Sequence, residues 1–325
     1  MSEKAYVNYH SNCFDGSMAA AVFRYANGLS QRYDAEYQPL NYDCTIINFN
    51  KFDGRDVFFL DITLPTELLN EIAAVANSVT VIDHHPMARE QAASQRTEPS
   101  TFASNVLFVT DSDDAPQSGA QLVWNFYMDG KPQPDCVRWI GKGDLFLFDE
   151  EQIRPLRRGV GTIGFDSAIW QSLLLDDEDG AQRLLAKGRV IEEAVESQLD
   201  FLERNCCSRM TIGGYNVIAV DAPKFLASEI AERLYTKTPI DQSEFIAVHY
   251  EMNGLLTYSL RSHRDSQLDL GEFCKQFGGG GHFHAAGFTV KVQKAPIDPP
   301  APEPTVLSDD YNIFGAIRTF FRKKA

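Results

Sequence analysis

The stretch Val79-Thr-Val-Ile-Asp83-His84-His85 decides how this chain is read. Apolar and β-branched residues end abruptly in an acid and a pair of histidines. β-branched side chains suit the pleated, half-buried surface of a strand. Val79–Ile82 therefore predicts a short strand, with Asp83, His84 and His85 at its carboxyl end. The pattern occurs earlier in the chain as well: Tyr6–Tyr9 runs into His10, and Val57–Leu60 runs into Asp61. Helix-like stretches, Gly16–Ala26 and Pro65–Ala76, separate these runs, and Pro65 suits a first helical turn. Strands this apolar, alternating with helices, predict an α/β fold with a mostly parallel sheet buried on both faces.

In a parallel sheet the carboxyl ends of the strands share one edge, and ligands bind along it. His10, Asp61, Asp83, His84 and His85 are thus delivered to one crevice. A single His or Asp at a strand end is ordinarily a cap or a satisfied polar group. Several strands converging with such residues favour a metal centre. Mixed imidazole and carboxylate ligands suit Mn²⁺, Fe²⁺, Co²⁺ or Zn²⁺ rather than a calcium cage. Carboxylates that can bridge point to two ions, the arrangement that activates water and steadies an in-line phosphoryl displacement. Asp144, in IGKGDLF after a predicted helix, adds a further acid. Asp111, Asp113 and Asp114 rank lower, because a run of acids in a polar loop is ordinarily a solvated face. Residues 86–117 read as polar and loop-like around one strand, Val106–Thr110, before a helix over Ser118–Tyr127 capped by Ser118.

Composition narrows the class. A chain of 325 residues predicts two domains and an appendage. Its 44% hydrophobic and 23% charged residues are ordinary for a globular protein. No apolar run approaches a membrane span, and MSEKAYVNYH lacks the order of a secretory signal, so a cytoplasmic location is expected. The six cysteines form no CxxC pair, which argues against a zinc knuckle or a redox motif. A formal net charge of −15 opposes wrapping a long duplex. A phosphate-bearing substrate would need local neutralisation by metal ions or arginines, and short substrates would be favoured over long polyanions.

Apolar spacing over 179–205 predicts a long helix joining the domains. A smaller α/β domain then begins near Ser208, with strands at Gly214–Val220, Phe245–Tyr250 and Leu255–Arg261 and a helix at Ser228–Tyr235. Within it, Gly278, Gly279, Gly280 and Gly281 precede His282. Glycine runs let backbone N–H groups approach a phosphate closely, and Arg261 could add a bidentate contact. His282 and His284 have no evident carboxylate partner, so a His touching substrate is favoured over a metal ligand. Five of the 15 prolines fall in 296–304, a stiff linker. After it, Ser308–Lys324 predicts an amphipathic helix with Ile313, Phe314, Ile317, Phe320 and Phe321 in one stripe. That helix would pack on its own chain or a second subunit, or dock to a protein or a membrane surface. The expected divisions are 1–180 catalytic, 181–207 linker helix, 208–292 substrate-binding, 293–307 Pro-rich linker and 308–325 terminal helix.

With Asp83–His85 in the first half and GGGH at Gly279–His282 in the second, the chain resembles the DHH phosphoesterases over roughly residues 5–292. It looks most similar to their nanoRNase-like or cyclic-nucleotide phosphodiesterase-like branch, on the His…Asp-Gly first motif, SGAQLVW, SLRS and GGGGH…AAGF. The resemblance implies a metal-dependent phosphodiesterase that cleaves short oligonucleotides or small nucleotides with a metal-activated water. His10 would bind the first metal, and Asp61 would bridge both. Asp15, His84 and Asp144 would complete the second. His85 would face the scissile phosphate, and Asp83 would orient the first histidine or hold the loop. Arg261, Gly278–Gly281 and His282 would hold the substrate's phosphate or terminal nucleotide. The implied cofactor is one or two divalent ions, with Mn²⁺ favoured. Many relatives carry D-x-D-G in the first motif, whereas Cys13-Phe14-Asp15-Gly16 puts a cysteine where the first Asp would be. A Cys13 thiolate ligand would bias the site toward Zn²⁺ or Fe²⁺; otherwise Cys13 packs inward and water takes its place. The alternatives are a phosphoanhydride hydrolase acting on polyphosphate, and an impaired nucleotide-binding module whose terminal helix is a docking element.

Overall fold

The computed structural model describes residues 2–42, 48–165, 167–175 and 177–291. The Pro-rich linker, the terminal helix and Cys44 lie outside the described residues. The chain forms two compact units, Met1–Ser197 and Gln198–Ala325.

The first unit runs β1 (Glu3–His10), α1 (Phe14–Ser30), β2 (Tyr33–Leu40), β3 (Asp56–Leu60), α2 (Thr66–Ala73), β4 (Ser78–Ile82), α3 (Pro86–Thr97), β5 (Val106–Val109), α4 (Gly119–Tyr127), α5 (Asp135–Asp144), α6 (Ile153–Val160), α7 (Ser167–Leu175) and α8 (Asp177–Asn205). The unit boundary falls inside α8. The strands form one parallel sheet in the order β2-β1-β3-β4-β5. Each face carries a core. One holds Val7, Phe58, Leu60 and Ile82 with Met18, Phe23, Trp124 and Trp170; the other holds Tyr6, Val57, Phe59, Val79 and Val81 with Leu69 and Ile72. Burial on both faces accounts for the near-continuous apolar runs.

This strand order turns back between β1 and β3, and in open α/β sheets the crevice at that turn binds ligands. The register places the strand ends level: Tyr9 pairs Leu60, and Leu60 pairs Ile82. The next residues, His10, Asp61 and Asp83, leave the sheet together. The Asp61 N–H donates to Ile82 O at 2.9 Å, and the Asp83 N–H donates to Val109 O at 3.1 Å, which ties both turns to the neighbouring strand.

The structure corrects the loop-like reading of residues 86–117, because Pro86–Thr97 is a helix with Pro86 in its first turn. Its polar sequence hides a buried Gln91, which accepts from Thr63 Oγ1 at 2.9 Å and donates to Leu64 O at 2.8 Å. Asp111 is not solvated either. Its buried carboxylate accepts both Arg89 Nε and Nη2, at 2.7 and 2.6 Å, while Asp113 is exposed. Asp144 sits at the end of α5 rather than in a loop after a helix.

The second unit contains β6 (Cys207–Ile212), β7 (Tyr215–Asp221), α9 (Ala227–Lys237), β8 (Phe245–Met252), β9 (Leu255–Ser262), α10 (Leu270–Lys275), β10 (Gly280–His282) and β11 (Ala285–Lys291). Its sheet order is β10-β11-β9-β8-β7-β6, with only β7 and β8 parallel. The glycine run is not a free loop. Gly280–His282 pairs with Ala285–Gly287 in a hairpin. A Cβ on Gly279 would lie 2.2 Å from Gly287 O, and one on Gly281 would lie 2.5 Å from Ala286 Cα. Close strand approach is what demands glycine at these two positions.

Candidate metal centre

Every ligand expected from the sequence in the first unit comes to the β1/β3 crevice. Donor atoms of His10, Cys13 and Asp61 lie within 4.8 Å of one another, as do those of Asp15, His84 and Asp144, and those of Asp61, Asp83, His84 and His85. Asp61 is the hub. Its Oδ2 is 3.3 Å from His10 Nδ1, and its Oδ1 is 3.3 Å from His84 Nε2. His84 Nε2 is also 3.3 Å from Asp144 Oδ2. Asp15, Asp61 and Asp83 are fully buried.

The local backbone is built to bring these groups in. Gly16 has no Cβ because one would lie 2.2 Å from His10 O. Gly119 opens α4 directly against Asp61, where a Cβ would lie 2.6 Å from Asp61 Cβ. Ser118 closes a capping box with Gln121. Ser118 Oγ also donates to Asp15 Oδ1 at 2.6 Å, and the Ala120 N–H donates to Asp15 Oδ2 at 3.1 Å. Sequence reasoning saw Ser118 only as a helix cap and missed that α4's start holds a candidate ligand. The small Ser-Gly-Ala run was the available signal. Tyr42 was also missed. It is half-exposed, and its ring packs edge-on against His10 and His85, at 5.5 and 5.8 Å between centroids.

Asp83 turns to the second histidine, not the first: its Oδ1 accepts the His85 N–H at 3.2 Å and lies 2.7 Å from His85 Nδ1. It therefore fixes the His85 ring and the turn that carries it.

The electrostatics describe acids crowded together away from water. Burial, then the charges of Asp61 and Asp144, push the Asp15 carboxyl well above its usual range. Burial and Asp61 push Asp144 up likewise. For Asp61 burial acts upward too, but the hydrogen bond from His10, the His84 imidazole 3.3 Å away and the charges of His84 and His85 outweigh it, and it is held low. Burial opposes charge on His84, yet Asp61, Asp15 and Asp144 raise it to about 9. Burial and the acids Asp61 and Asp15 push the Cys13 thiol up, so it keeps its proton unless a cation displaces it. Protons thus sit where the donor set could hold cations. Asp61 Oδ1, Asp83 Oδ2 and His84 Nε2 are buried without a hydrogen-bond partner, which is unusual in a folded interior. Imidazole nitrogens and carboxylate oxygens in this number fit a transition-metal divalent ion.

In the second unit, Arg261 Nη1 donates to Ser259 Oγ and Leu260 O at 3.0 and 2.9 Å, and Nη2 donates to Ser228 Oγ at 3.2 Å. Burial lowers its pKa, and its partners are hydroxyls and a carbonyl rather than a carboxylate. His284 is held by Ser262 Oγ at 3.0 Å, and His282 is exposed. Among the described residues, no metal-type cluster includes either histidine.

A pGpG-specific phosphodiesterase, PggH of Vibrio cholerae, superposes with a TM-score of 0.54 at 14% identity, covering all of both chains. The two proteins share a fold. At that identity the likeness shows the fold alone. A family II inorganic pyrophosphatase structure of Methanococcus jannaschii is a weaker likeness, with a TM-score of 0.31 at 12% identity over 91% of this chain and 97% of that one. No protein-family profile matches the chain. Among curated proteins, the uncharacterized protein R106 of Acanthamoeba polyphaga mimivirus is 24% identical over 295 residues, 86% of this chain. The matched region spans 66% of R106, just under two thirds of its length.

Among the described residues, no helix is long and apolar enough to cross a membrane.

Proposed function

We propose that the protein is a metal-dependent phosphodiesterase of the DHH type, acting on short oligonucleotides or small nucleotides. The observation that carries this is the convergence of His10, Asp15, Asp61, His84 and Asp144 on one sheet edge, with Asp61 and His84 shared between neighbouring donor groups. The fold common to this chain and a phosphodiesterase that acts on a dinucleotide supports the reading. His10 and Asp61, with or without Cys13, would hold one divalent ion; Asp15, Asp61, His84 and Asp144 would hold a second. When bound, such ions supply a nucleophilic water at neutral pH and offset charge on the phosphoryl oxygens.

The chain's own groups do the rest. Ser118 and the Ala120 N–H fix the Asp15 carboxylate, so that it is not free to rotate away. Asp83 holds the His85 ring beside the ligands, where a protonated imidazole would donate to a phosphate oxygen or to the leaving group. Burial works against charge on His85, but the hydrogen bond to Asp83 and the charges of Asp83 and Asp61 outweigh it and raise its pKa, which favours that protonated form. Arg261, the glycine hairpin and His282 form the proposed holder for a terminal phosphate in the second unit. Cytoplasmic placement and Mn²⁺ as the working ion belong to the same proposal.

Purified protein would be stripped of metal, reloaded with Mn²⁺ and offered pGpG, a short 5′-labelled RNA and polyphosphate. Release of mononucleotides is expected, with loss of turnover in Asp61→Asn. Phosphate released from polyphosphate alone would establish the phosphoanhydride alternative instead. Nucleotide binding without turnover would establish an impaired binding module.

A further inference from the structure

One cation stands against the acids without being paired to any of them. Arg157, on α6, packs its guanidinium over the Phe14 ring, 5.5 Å from the centroid. Phe14 lies between Cys13 and Asp15. Farther back, the Arg157 stem crosses the last turn of α5 where Gly143 leaves room, since a Cβ there would lie 2.6 Å from Arg157 Cδ. Gly143 immediately precedes Asp144. The side chain thus runs between the two segments that deliver Asp15 and Asp144. Among the described residues it makes no hydrogen bond and no ion pair.

Other arginines of this unit are used differently. Arg158 pairs with Glu192 at 2.7 Å, Arg138 with Glu150 at 2.5 Å and Arg89 with Asp111 at 2.6 Å. Arg157 is mostly buried, and burial lowers its pKa while Asp144, Cys13 and Asp15 act in the opposite direction. An unpaired buried cation costs free energy. The charges of Asp144 and Asp15 offset that cost, and cations gathered at those acids would weaken the offset unless an anion came between. A guanidinium offers a planar fork of donors that matches two oxygens of a phosphate.

We infer that Arg157 binds the non-bridging oxygens of the substrate's scissile phosphate and stabilises the charge that builds there during cleavage. This rests on the phosphodiesterase reading above. Arg157 is a binding group for the reacting phosphate, separate from the proposed holder in the second unit. A purely structural role, steadying Asp144, would instead act through metal affinity.

The test uses the full chain with Mn²⁺ and pGpG, comparing wild type, Arg157→Gln and Arg157→Lys. Loss of one preorganised donor to a developing oxyanion costs on the order of 10²–10³ in kcat. Arg157→Gln is expected to lose about that much, with Mn²⁺ affinity by calorimetry within about twofold of wild type. Arg157→Lys should recover part of the loss, and millimolar guanidinium should partly restore Arg157→Ala. A non-hydrolysable methylenephosphonate dinucleotide should bind Arg157→Gln more weakly than wild type. Should Arg157→Gln fail to fold, Arg157→Lys keeps the stem and charge but not the fork, and must still be slower than wild type. Wild-type turnover in both variants would overturn the inference while leaving the phosphodiesterase reading intact. A loss matched by an equal loss of Mn²⁺ affinity would overturn it in favour of the structural role. A wild type inert toward every phosphoester would remove the functional reading and this inference with it.

Discussion

Replacing Gly119 by alanine adds one methyl group where α4 begins. Its carbon would lie 2.6 Å from Asp61 Cβ, 2.7 Å from Asp61 Oδ1 and 2.9 Å from Asp61 Cα. Non-bonded carbons rest about 3.5–4.0 Å apart, so the overlap is roughly 1 Å. Neither side can give way easily. Asp61 is fully buried, and its N–H is bonded to Ile82 O at 2.9 Å. The start of α4 is held by the Ser118–Gln121 box and by Asp15. Overpacking of this kind costs about 1–3 kcal/mol of stability. A displacement of about 1 Å at a catalytic group costs on the order of 10²-fold in rate. Gly119→Ala should therefore melt at a lower temperature, bind Mn²⁺ more weakly and hydrolyse pGpG about a hundredfold more slowly. Calorimetry, thermal unfolding with and without Mn²⁺, and initial rates read the three effects. Wild-type Mn²⁺ affinity and turnover in this variant would refute the claim that α4 packs directly on Asp61.

Ser118→Ala removes both a helix cap and the 2.6 Å hydrogen bond to Asp15. The cap alone is worth about 0.5–2 kcal/mol, so scanning calorimetry should show a lower melting temperature, together with weaker Mn²⁺ binding. The proton on His84 makes the metal-free protein sensitive to pH. Its pKa rises from 6.5 to about 9 on folding, so its stabilising contribution is complete below 6.5 and is lost as pH climbs through about 9. Melting temperature without metal should fall across that window while Mn²⁺ affinity rises, because the ion must displace the proton; a flat Mn²⁺ isotherm from pH 6 to 9 would contradict this. Cys13→Asp places a third carboxylate beside Asp15 and Asp61. It should destabilise the metal-free protein, and if the cysteine is a ligand it should shift metal preference from Zn²⁺ or Fe²⁺ toward Mn²⁺. An unchanged metal profile would assign Cys13 to packing.

The parallel sheet was legible because β3 and β4 are buried on both faces, and such strands are written as continuous apolar runs. The residues that end them were legible for the same reason, since polarity changes sharply at His10, Asp61 and Asp83. Strand β2 was not, because YDAEYQPL lies at the sheet edge, alternates between half-buried and exposed positions, and carries a proline near its end. Helix α3 was hidden by its polarity, with Ala88, Gln91 and Ala92 as its only buried positions. In the second unit the glycine run was visible, but the packing reason for two of its members was not. Glycine at 279 and 281 answers to backbone contacts within a hairpin, contacts that depend on β11 and cannot be seen from the run itself. Gly16, Gly119 and Ser118 fell within noted motifs, but their supporting roles were not legible because they depend on how the folded chain brings them against His10, Asp61 and Asp15.

Backbone strain marks the same edge. The described non-glycine residues with left-handed φ are Asn12, Gln31, Asp61, Phe146 and Asn253. Gln31 ends α1 and Asn253 sits in the β8–β9 turn, both ordinary uses. The other three flank the centre: Asn12 lies between His10 and Asp15, Asp61 is the hub, and Phe146 follows Asp144 by two residues. For a residue with a Cβ this conformation costs roughly 1–2 kcal/mol. At Asp61, with φ 57°, the turn ends β3 and leaves one carboxylate within 3.3 Å of both His10 and His84. The fold tolerates the strain for a position that extended backbone would not provide. Asp61→Gly and Asp61→Asn together separate the two effects, since the first relieves the backbone and deletes the carboxylate whereas the second removes the charge alone. Both lose the pairing of Asp61 with His10 and His84, so both should be less stable than wild type without metal, and neither should gain melting temperature from Mn²⁺. Asp61→Asn keeps a Cβ and with it the strain, so without metal it should be less stable than Asp61→Gly by about 1–2 kcal/mol. If Asp61→Gly proved no more stable than Asp61→Asn without metal, the strain would not lie at Asp61.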